Sequence, residues 1–172
     1  NEELLSRATA RWPQHAIVAN EGARGLSSGR NTALGRASGD IVAFLDDDAW
    51  AEPGWLAALV AGFGDARTVA VGGFAAPIWP AGEPGVLPDE LLWIVGCSYR
   101  GLPVHAAPVR NVMGCSMAFR RAPLQQIGGF NPDTGRVGAH PIGCEETEAC
   151  IRLQQVDRTR VVHYEPAARV RH

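Results

Sequence analysis

The chain has 172 residues, of which 46% are hydrophobic and 20% are charged, the composition of one soluble globular domain with a buried core. This balance excludes disordered and fibrous proteins. The net charge of −2 gives no basic surface for nucleic acid, and no apolar run approaches the roughly 18 residues of a membrane span. Membrane association would therefore need parts of the protein outside this chain. None of the 16 basic residues is a lysine, which excludes Schiff-base chemistry and a P-loop lysine.

The first half of the chain alternates helical and strand patterns. In order, we expect a helix over Glu2–Trp12, a strand over His15–Asn20, a helix from its N-cap Ser27 to Ser38, a fully buried strand over Asp40–Leu45, a helix over Pro53–Phe63 and a strand over Thr68–Val71. Such alternation predicts an α/β fold with a mostly parallel sheet between helices. The chain opens within a helical pattern, so we expect a fragment whose first strand is missing.

The second half begins with a proline- and glycine-rich loop over Pro77–Pro88 and continues with an apolar helix over Asp89–Val95. The remaining elements expected are a strand over Asn111–Phe119, a helix over Ala122–Ile127, a helix from Cys144 through Leu153 and a strand over Thr159–Tyr164.

The cysteines show no C-x-x-C spacing, which argues against a zinc ribbon or a thioredoxin-like redox pair. We expect free, mostly buried thiols in a reducing compartment. This predicts a location in the cytoplasm or at the cytoplasmic face of a membrane. The residues are Cys97, Cys115, Cys144 and Cys150.

Three adjacent aspartates, Asp46, Asp47 and Asp48, end the strand over Asp40–Leu45. Carboxylates so close repel one another and need either water on an exposed turn or a bound cation. An acidic surface turn is the commoner explanation of an isolated triplet. Ligands of parallel α/β sheets bind at the carboxyl ends of strands, which favours a site for Mg²⁺ or Mn²⁺ here.

Several separated motifs keep one order along the chain, and together they resemble the inverting family 2 glycosyltransferases of the GT-A fold. The motifs are Gly25-Leu26-Ser27, Arg30-Asn31-Thr32-Ala33, Ala37-Ser38-Gly39-Asp40, Phe44-Leu45-Asp46-Asp47-Asp48, Pro53-Gly54-Trp55-Leu56, Arg120-Arg121, Ile127-Gly128-Gly129-Phe130 and Glu145-Glu146. The resemblance implies transfer of a sugar from a nucleotide-diphospho-sugar donor to an acceptor hydroxyl, with inversion and with help from Mg²⁺ or Mn²⁺. It also implies that the loop from Pro77 to Tyr99 shapes the side of the acceptor, which the sequence does not identify.

The resemblance implies roles around the donor. Asp48 matches the metal-ligating end of the family's Asp-x-Asp motif, and Asp46 matches its nucleotide-contacting end. Asp47 is expected to lie next to these two aspartates, on the nucleotide side of the site, without ligating the metal. Arg30 and Asn31 match positions near the nucleotide.

The resemblance also implies a general base and a further metal ligand. Glu145-Glu146 matches the family's Glu-Asp pair, in which the second carboxylate takes the proton of the acceptor hydroxyl. Glu146 is therefore the expected base, and Glu145 is expected to be its neighbour or a contact of the acceptor. Glutamate stands where aspartate is usual, which leaves the choice open among Glu145, Glu146 and Glu148. His172 falls where some GT-A enzymes place a histidine that completes the metal shell.

Two other readings compete with glycosyl transfer. A nucleotidyltransferase also uses carboxylates at a sheet end, a metal and a nucleotide, but it needs a glycine-rich loop with a basic residue that this chain lacks. A catalytically inactive module that binds nucleotide sugars would keep the fold without turnover. In each case residues 1–172 are expected to form a single domain.

Overall fold

The computed structural model describes residues 14–82, 85–135 and 143–172, and every structural statement below concerns those residues. The helix expected over Glu2–Trp12 lies outside them. The helices are α1 (Leu26–Arg36), α2 (Trp55–Ala61), a 3₁₀ helix (Asp89–Val95), α3 (Arg121–Gln126) and α4 (Glu145–Val156). The strands are β1 (Ile41–Leu45), β2 (Trp50–Ala51), β3 (Thr68–Ala76), β4 (Ala107–Pro108), β5 (Ser116–Arg120) and β6 (Val161–Arg171).

The described strands form one mixed sheet in the order β1-β5-β3-β6-β2, and β4 also pairs with β6. Strands β1, β3 and β6 run in the same direction, because β3 pairs parallel with β6 and both β1 and β3 pair antiparallel with β5. The described sheet is nevertheless mixed rather than mostly parallel, since four of its five pairings are antiparallel. Parallel neighbours need a long crossover that is usually helical. The regular helix–strand alternation ends at β3, and β5 then enters the sheet in the opposite direction.

Strand β6 is long and irregular, and this irregularity lets it pair along its whole length. Its register against β3 shifts where Gly73 is opposite Glu165 and Phe74 is opposite Arg169. The shift lies next to Pro166, which has no N–H to give to the ladder. Beyond it, β6 resumes parallel pairing with β3 and pairs antiparallel with β2, so the strand leads directly to His172.

Three local expectations were wrong. Residues 15–20 do not form a strand, and they are exposed, with no strand partner in the described part of the chain. Strand β1 forms as expected, but only Phe44 in it is buried, because β5 is the single described strand that pairs with it. Ser27 is not an N-cap: α1 begins one residue earlier, and the Ser27 hydroxyl donates to the carbonyl of Thr134 at 2.6 Å.

The larger core cluster lies between the sheet and helices α3 and α4, and three phenylalanines stand at its centre. Phe44, Phe119 and Phe130 pack edge to face, with ring centroids 5.3–6.2 Å apart. Phe44 is the residue before last in β1, so this packing fixes the strand end that precedes the aspartates. No helix in the described ranges is both long and apolar enough to cross a bilayer.

Candidate functional site

The end of β1 and the end of β6 bring two aspartates and a histidine together. Asp46, Asp48 and His172 each offer a ligand atom, and these atoms lie within 4.8 Å of one another. His172 Nε2 is 3.3 Å from Asp48 Oδ1. The backbone of His172 is held on both sides, since its N–H donates to the carbonyl of Ala76 at 2.8 Å and its carbonyl accepts from Ile78 at 2.7 Å.

The donor set fits a hard or borderline divalent cation. Two ligand atoms on one Mg²⁺ lie at most about 4.2 Å apart, because each is about 2.1 Å from the ion. The observed ligand atoms lie up to 4.8 Å apart, slightly more than this limit. The side chain of Asp48 is 73% exposed, so it can rotate to bring its carboxylate closer to the other two ligands. Two carboxylates and one imidazole suit Mn²⁺ at least as well as Mg²⁺, which prefers oxygen ligands. Asp47 is exposed and is not a member of this cluster.

Arg30 joins the aspartates to the start of α4. Its Nη2 donates to Asp46 Oδ1 at 2.9 Å and to the carbonyl of Gly114 at 3.2 Å, and its Nη1 donates to Glu145 Oε1 at 2.5 Å. The Arg30 and Glu145 side chains are only 6% and 5% exposed, and the guanidinium lies over the Phe130 ring at 5.7 Å. A buried arginine between two carboxylates is well satisfied. Nucleotide contact by Arg30 stays a prediction.

Asn31, the next residue, is bound to the turn that follows α3. Its amide nitrogen donates to the carbonyl of Phe130 at 2.7 Å, and its amide oxygen accepts from the Phe130 N–H at 2.8 Å. Gly129 has a φ of +75°, and a Cβ there would lie 2.3 Å from the Asn31 amide oxygen. Glycine is therefore required at 129 on two grounds, backbone conformation and space. Nucleotide contact by Asn31 stays a prediction.

The three candidate carboxylates of α4 have different surroundings. Glu145 is buried against Arg30. Glu148 pairs with Arg152 at 2.5 Å, and Arg152 also donates to the carbonyls of Ile127 and Gly129. The carboxylates of Glu145 and Glu148 are therefore each engaged in an ion pair. The described hydrogen bond of the Glu146 carboxylate comes from the neighbouring Thr147 hydroxyl at 3.2 Å.

Glu146, in contrast, makes no ion pair with a described residue, and its pKa is shifted. Burial, with the nearby Glu145 carboxylate, raises the pKa of Glu146 above its ordinary value, although its backbone N–H, Thr147 and Arg30 oppose the shift. A raised pKa brings a carboxylate closer to the working pH of a general base. Its Oε2 would lie 3.7 Å from a Cβ at Gly114, whose carbonyl also accepts from Arg30. Glu146 thus lies beside the group that links α4 to Asp46.

The backbone before α4 also carries strain. Cys144, the residue before the helix, has a φ of +77°, and it is the one non-glycine residue with positive φ in the described ranges. Such a conformation costs roughly 1–2 kcal/mol for a residue with a Cβ. Backbone strain of this kind is concentrated at functional sites.

Sequence reasoning missed the groups that hold the site residues in place. Gly114 gives a carbonyl to Arg30, and Gly96 and Cys97 lie against His172. A glycine directly after the apolar run Leu91–Val95 is a sequence signal for a helix C-cap. No local pattern, however, connects that glycine to a histidine at the far end of the chain.

Comparisons of sequence place the chain among sugar transferases. Residues 2–128 match the family model described as Glycosyl transferase family 2. The chain is 39% identical over 154 residues to a glucosyl-dolichyl phosphate glucuronosyltransferase of Haloferax volcanii, covering 89% of this chain and 49% of that protein. It is 28% identical over 151 residues to a pre-mycofactocin glycosyltransferase of Mycobacterium tuberculosis, covering 87% of this chain and 30% of that protein. The chain therefore spans half or less of the length of these curated relatives.

Solved structures share the fold at low sequence identity. GalNAc-T7, solved with UDP, GalNAc and Mn²⁺, has a TM-score of 0.70 at 18% identity, covering 100% of this chain and 35% of the other. The mannosyltransferase PcManGT of Pyrobaculum calidifontis, solved with GDP-Man and Mn²⁺, has a TM-score of 0.66 at 22% identity, covering 99% and 43%. The GT-A fold expected from the sequence is confirmed. This chain belongs to glycosyl transferase family 2, whose members transfer sugars.

Proposed function

We propose that the domain transfers a sugar, with inversion, from a nucleotide-diphospho-sugar to an acceptor hydroxyl, using Asp46, Asp48 and His172 as the metal site and Glu146 as the base. The observation that carries the proposal is that Arg30 links the three-ligand cluster, through Asp46, to the start of α4, where Glu146 follows Glu145 and has a raised pKa. A divalent cation at these ligands would stabilise the negative charge that develops on the leaving diphosphate.

Glu146 is the group that would accept a proton. In an inverting transfer, the acceptor oxygen attacks the anomeric carbon from the face opposite the leaving group, and the base takes the hydroxyl proton during the attack. Glu145 is held by Arg30 at 2.5 Å and Glu148 by Arg152 at 2.5 Å. Both carboxylates are therefore committed to ion pairs, which supports Glu146. Arg30 holds Asp46 and Glu145, so it positions groups that flank the reaction.

We assign the acceptor to the class of lipid-linked sugars. One support is the name of the 39% identical relative, a glucosyl-dolichyl phosphate glucuronosyltransferase. A second is the 3₁₀ helix, which exposes four large apolar side chains at 38–56%, a surface that an aliphatic chain can cover. These side chains are Leu91, Trp93, Ile94 and Val95. The expected location, in the cytoplasm or at its membrane face, stays a prediction, supported by four free cysteines.

The metal and donor assignments are tested by calorimetry. The protein should bind a nucleoside diphosphate in the presence of Mn²⁺, and the Asp48→Ala variant should bind it at least tenfold more weakly. Asp40→Ala removes another exposed aspartate, just before β1, and serves as the charge-matched control, with affinity unchanged. Equal affinity of the Asp48→Ala variant and the unchanged protein would rule out the metal site.

The base assignment is tested by turnover. The Glu146→Gln variant should bind the donor normally and lose at least a hundredfold in transfer rate, which is in the range contributed by general base catalysis. Glu148→Gln is the matched control and should keep its rate. Proton NMR of the product should show the anomer opposite to that of the donor. Near-normal turnover of the Glu146→Gln variant would instead show that another residue is the base. Absence of turnover in the unchanged protein as well as in both variants would indicate an inactive binding module.

A further inference from the structure

The turn that ends the 3₁₀ helix lies directly against the His172 side chain. Gly96 has a φ of +74°, and its N–H donates to the carbonyl of Trp93 at 3.1 Å. A Cβ at Gly96 would lie 2.8 Å from His172 Cε1 and 3.2 Å from Nδ1. The imidazole therefore fills the space that any side chain at position 96 would need.

Cys97, the next residue, faces the same ring. Its Sγ lies 3.9 Å from His172 Nδ1 and 3.8 Å from the His172 carbonyl oxygen. The other ring nitrogen, Nε2, is 3.3 Å from Asp48. One nitrogen of the imidazole is thus turned toward the 96–97 turn, and the other is turned toward the aspartates.

We propose that the turn formed by Gly96 and Cys97 is a positioning element that fixes the orientation in which His172 presents Nε2 to a cation. This inference rests on the metal site proposed above. A histidine ligand needs a partner behind its second nitrogen to fix the orientation of the ring. Glycine at 96 leaves the space that the ring occupies, and the Cys97 sulfur is the polarizable atom beside Nδ1.

The turn also connects the cation ligands to the exposed apolar helix. The 3₁₀ helix ends at Val95, directly before Gly96. A displacement of that helix would carry the 96–97 turn away from the ring. Metal affinity and the position of the apolar helix are therefore expected to be coupled.

The test compares two glycines of nearly equal backbone conformation. Gly96→Ala and Gly128→Ala share the strain of a positive φ, since Gly128 has a φ of +80°, but a Cβ at Gly128 meets nothing within 4 Å. Only Gly96→Ala should push the imidazole aside. Mn²⁺ binding, followed by calorimetry or by the EPR signal of the free ion, should weaken about tenfold in Gly96→Ala, the lower end of the 10–100-fold range for lost outer-shell partners. It should stay unchanged in Gly128→Ala.

The same substitution in a His172→Ala background separates this mechanism from a general loss of stability. Once the ring is absent, Gly96→Ala should cause no further loss of Mn²⁺ affinity. A full additional loss in that background would overturn the proposal. If Gly96→Ala does not fold, Cys97→Ala replaces it: weaker Mn²⁺ binding only when His172 is present supports the positioning role, and equal binding overturns it.

The other possible results show whether the metal site itself is wrong or only the positioning role of the 96–97 turn. If Asp48→Ala and His172→Ala both bind Mn²⁺ as tightly as the unchanged protein, the metal site is wrong and the positioning role falls with it. If both lose affinity while Gly96→Ala keeps it, the metal site stands and only the positioning role is overturned.

Discussion

Glu146 combines a partly buried carboxylate with few described partners, and this combination is unfavourable for stability. Ionised groups lose solvation when they are buried, and an ion pair or several hydrogen bonds must compensate. Glu145 and Glu148 have such compensation in Arg30 and Arg152. Glu146 has a single side-chain bond from Thr147 and a raised pKa. The residue proposed as the base is thus maintained at a cost to the native state.

That cost should appear as a pH dependence of stability. Because burial raises the native pKa of Glu146 above the ordinary 4.5, the free energy of unfolding falls as the pH rises from 4.5 through the native pKa. Glu146→Gln has no ionised form and avoids this loss. Urea denaturation should therefore show Glu146→Gln more stable than the unchanged protein at pH 7, with the difference shrinking below pH 4.5.

Glu148→Gln is the control for that measurement. It breaks an ion pair with Arg152 that is about 70% buried on each side, so it should lower stability at pH 7 by up to about 1 kcal/mol. A Glu146→Gln variant with the same pH profile as the unchanged protein would show that the carboxylate is not strained by burial.

At the scale of elements, α1 and the turn after α3 fit together through adjacent residues. Arg30 lies over the Phe130 ring, and Asn31 makes two hydrogen bonds with the Phe130 backbone. The sequence contains both motifs, but their contact joins residues 99 positions apart, which no local pattern specifies. From sequence alone, Arg30 and Asn31 could be predicted to belong to the site. Their partners within the protein could not, and nucleotide contact by the pair stays a prediction.

Asn31→Asp separates these contacts within the protein from nucleotide contact. The change replaces a donor by an oxygen facing the Phe130 carbonyl, so we expect a loss of about 1–3 kcal/mol in the free energy of unfolding. Mn²⁺ and nucleoside diphosphate should bind with unchanged affinity to the folded variant. Asn20→Asp is the matched control, because Asn20 also donates to a backbone carbonyl, at 3.0 Å, but in an exposed position where water can substitute. A loss of nucleotide affinity without a loss of stability would instead support nucleotide contact by Asn31.

For strands and helices too, the sequence predicted several elements but not the partners that they pair with. The apolar run of β1 and the glycines that end elements could be recognised in the sequence, and β1, α3 and α4 form close to their expected positions. Residues 15–20 also carry an apolar run and do not form a strand, because a strand needs a hydrogen-bonded neighbour as well as a pattern. The pairing of β5 between β1 and β3 likewise depended on the tertiary fold. The single-domain organisation of residues 1–172 stays a prediction.

Over the whole molecule, the site holds more negative than positive charge. Asp46 and Glu145 share the cation of Arg30, and the Asp48 and Glu146 carboxylates lie nearby. A nucleoside diphosphate approaching this surface without a cation meets like charge. Binding is therefore expected to require the metal first or together with the nucleotide.

Thermal denaturation measures this requirement directly. With Mn²⁺ present and the nucleoside diphosphate at 100 times its Kd, binding adds about 2.7 kcal/mol of stability. For a domain of this size the Tm should rise by about 5–10 °C. With EDTA in place of Mn²⁺, the nucleotide should give almost no rise. An equal rise under both conditions would show that the carboxylates do not act through a cation.

The two ion pairs of Arg30 also differ as polymer loops. Asp46 is 16 residues from Arg30 and Glu145 is 115 residues away. Because the entropy of loop closure grows with the logarithm of length, the second loop costs about 1.7 kcal/mol more to close than the first. The chain should therefore join Arg30 to Asp46 before α4 packs against Arg30. In folding kinetics, this order predicts a higher φ-value for Asp46→Asn than for Glu145→Gln. The aspartate half of the site would then form early, and the glutamate half would complete it late in folding.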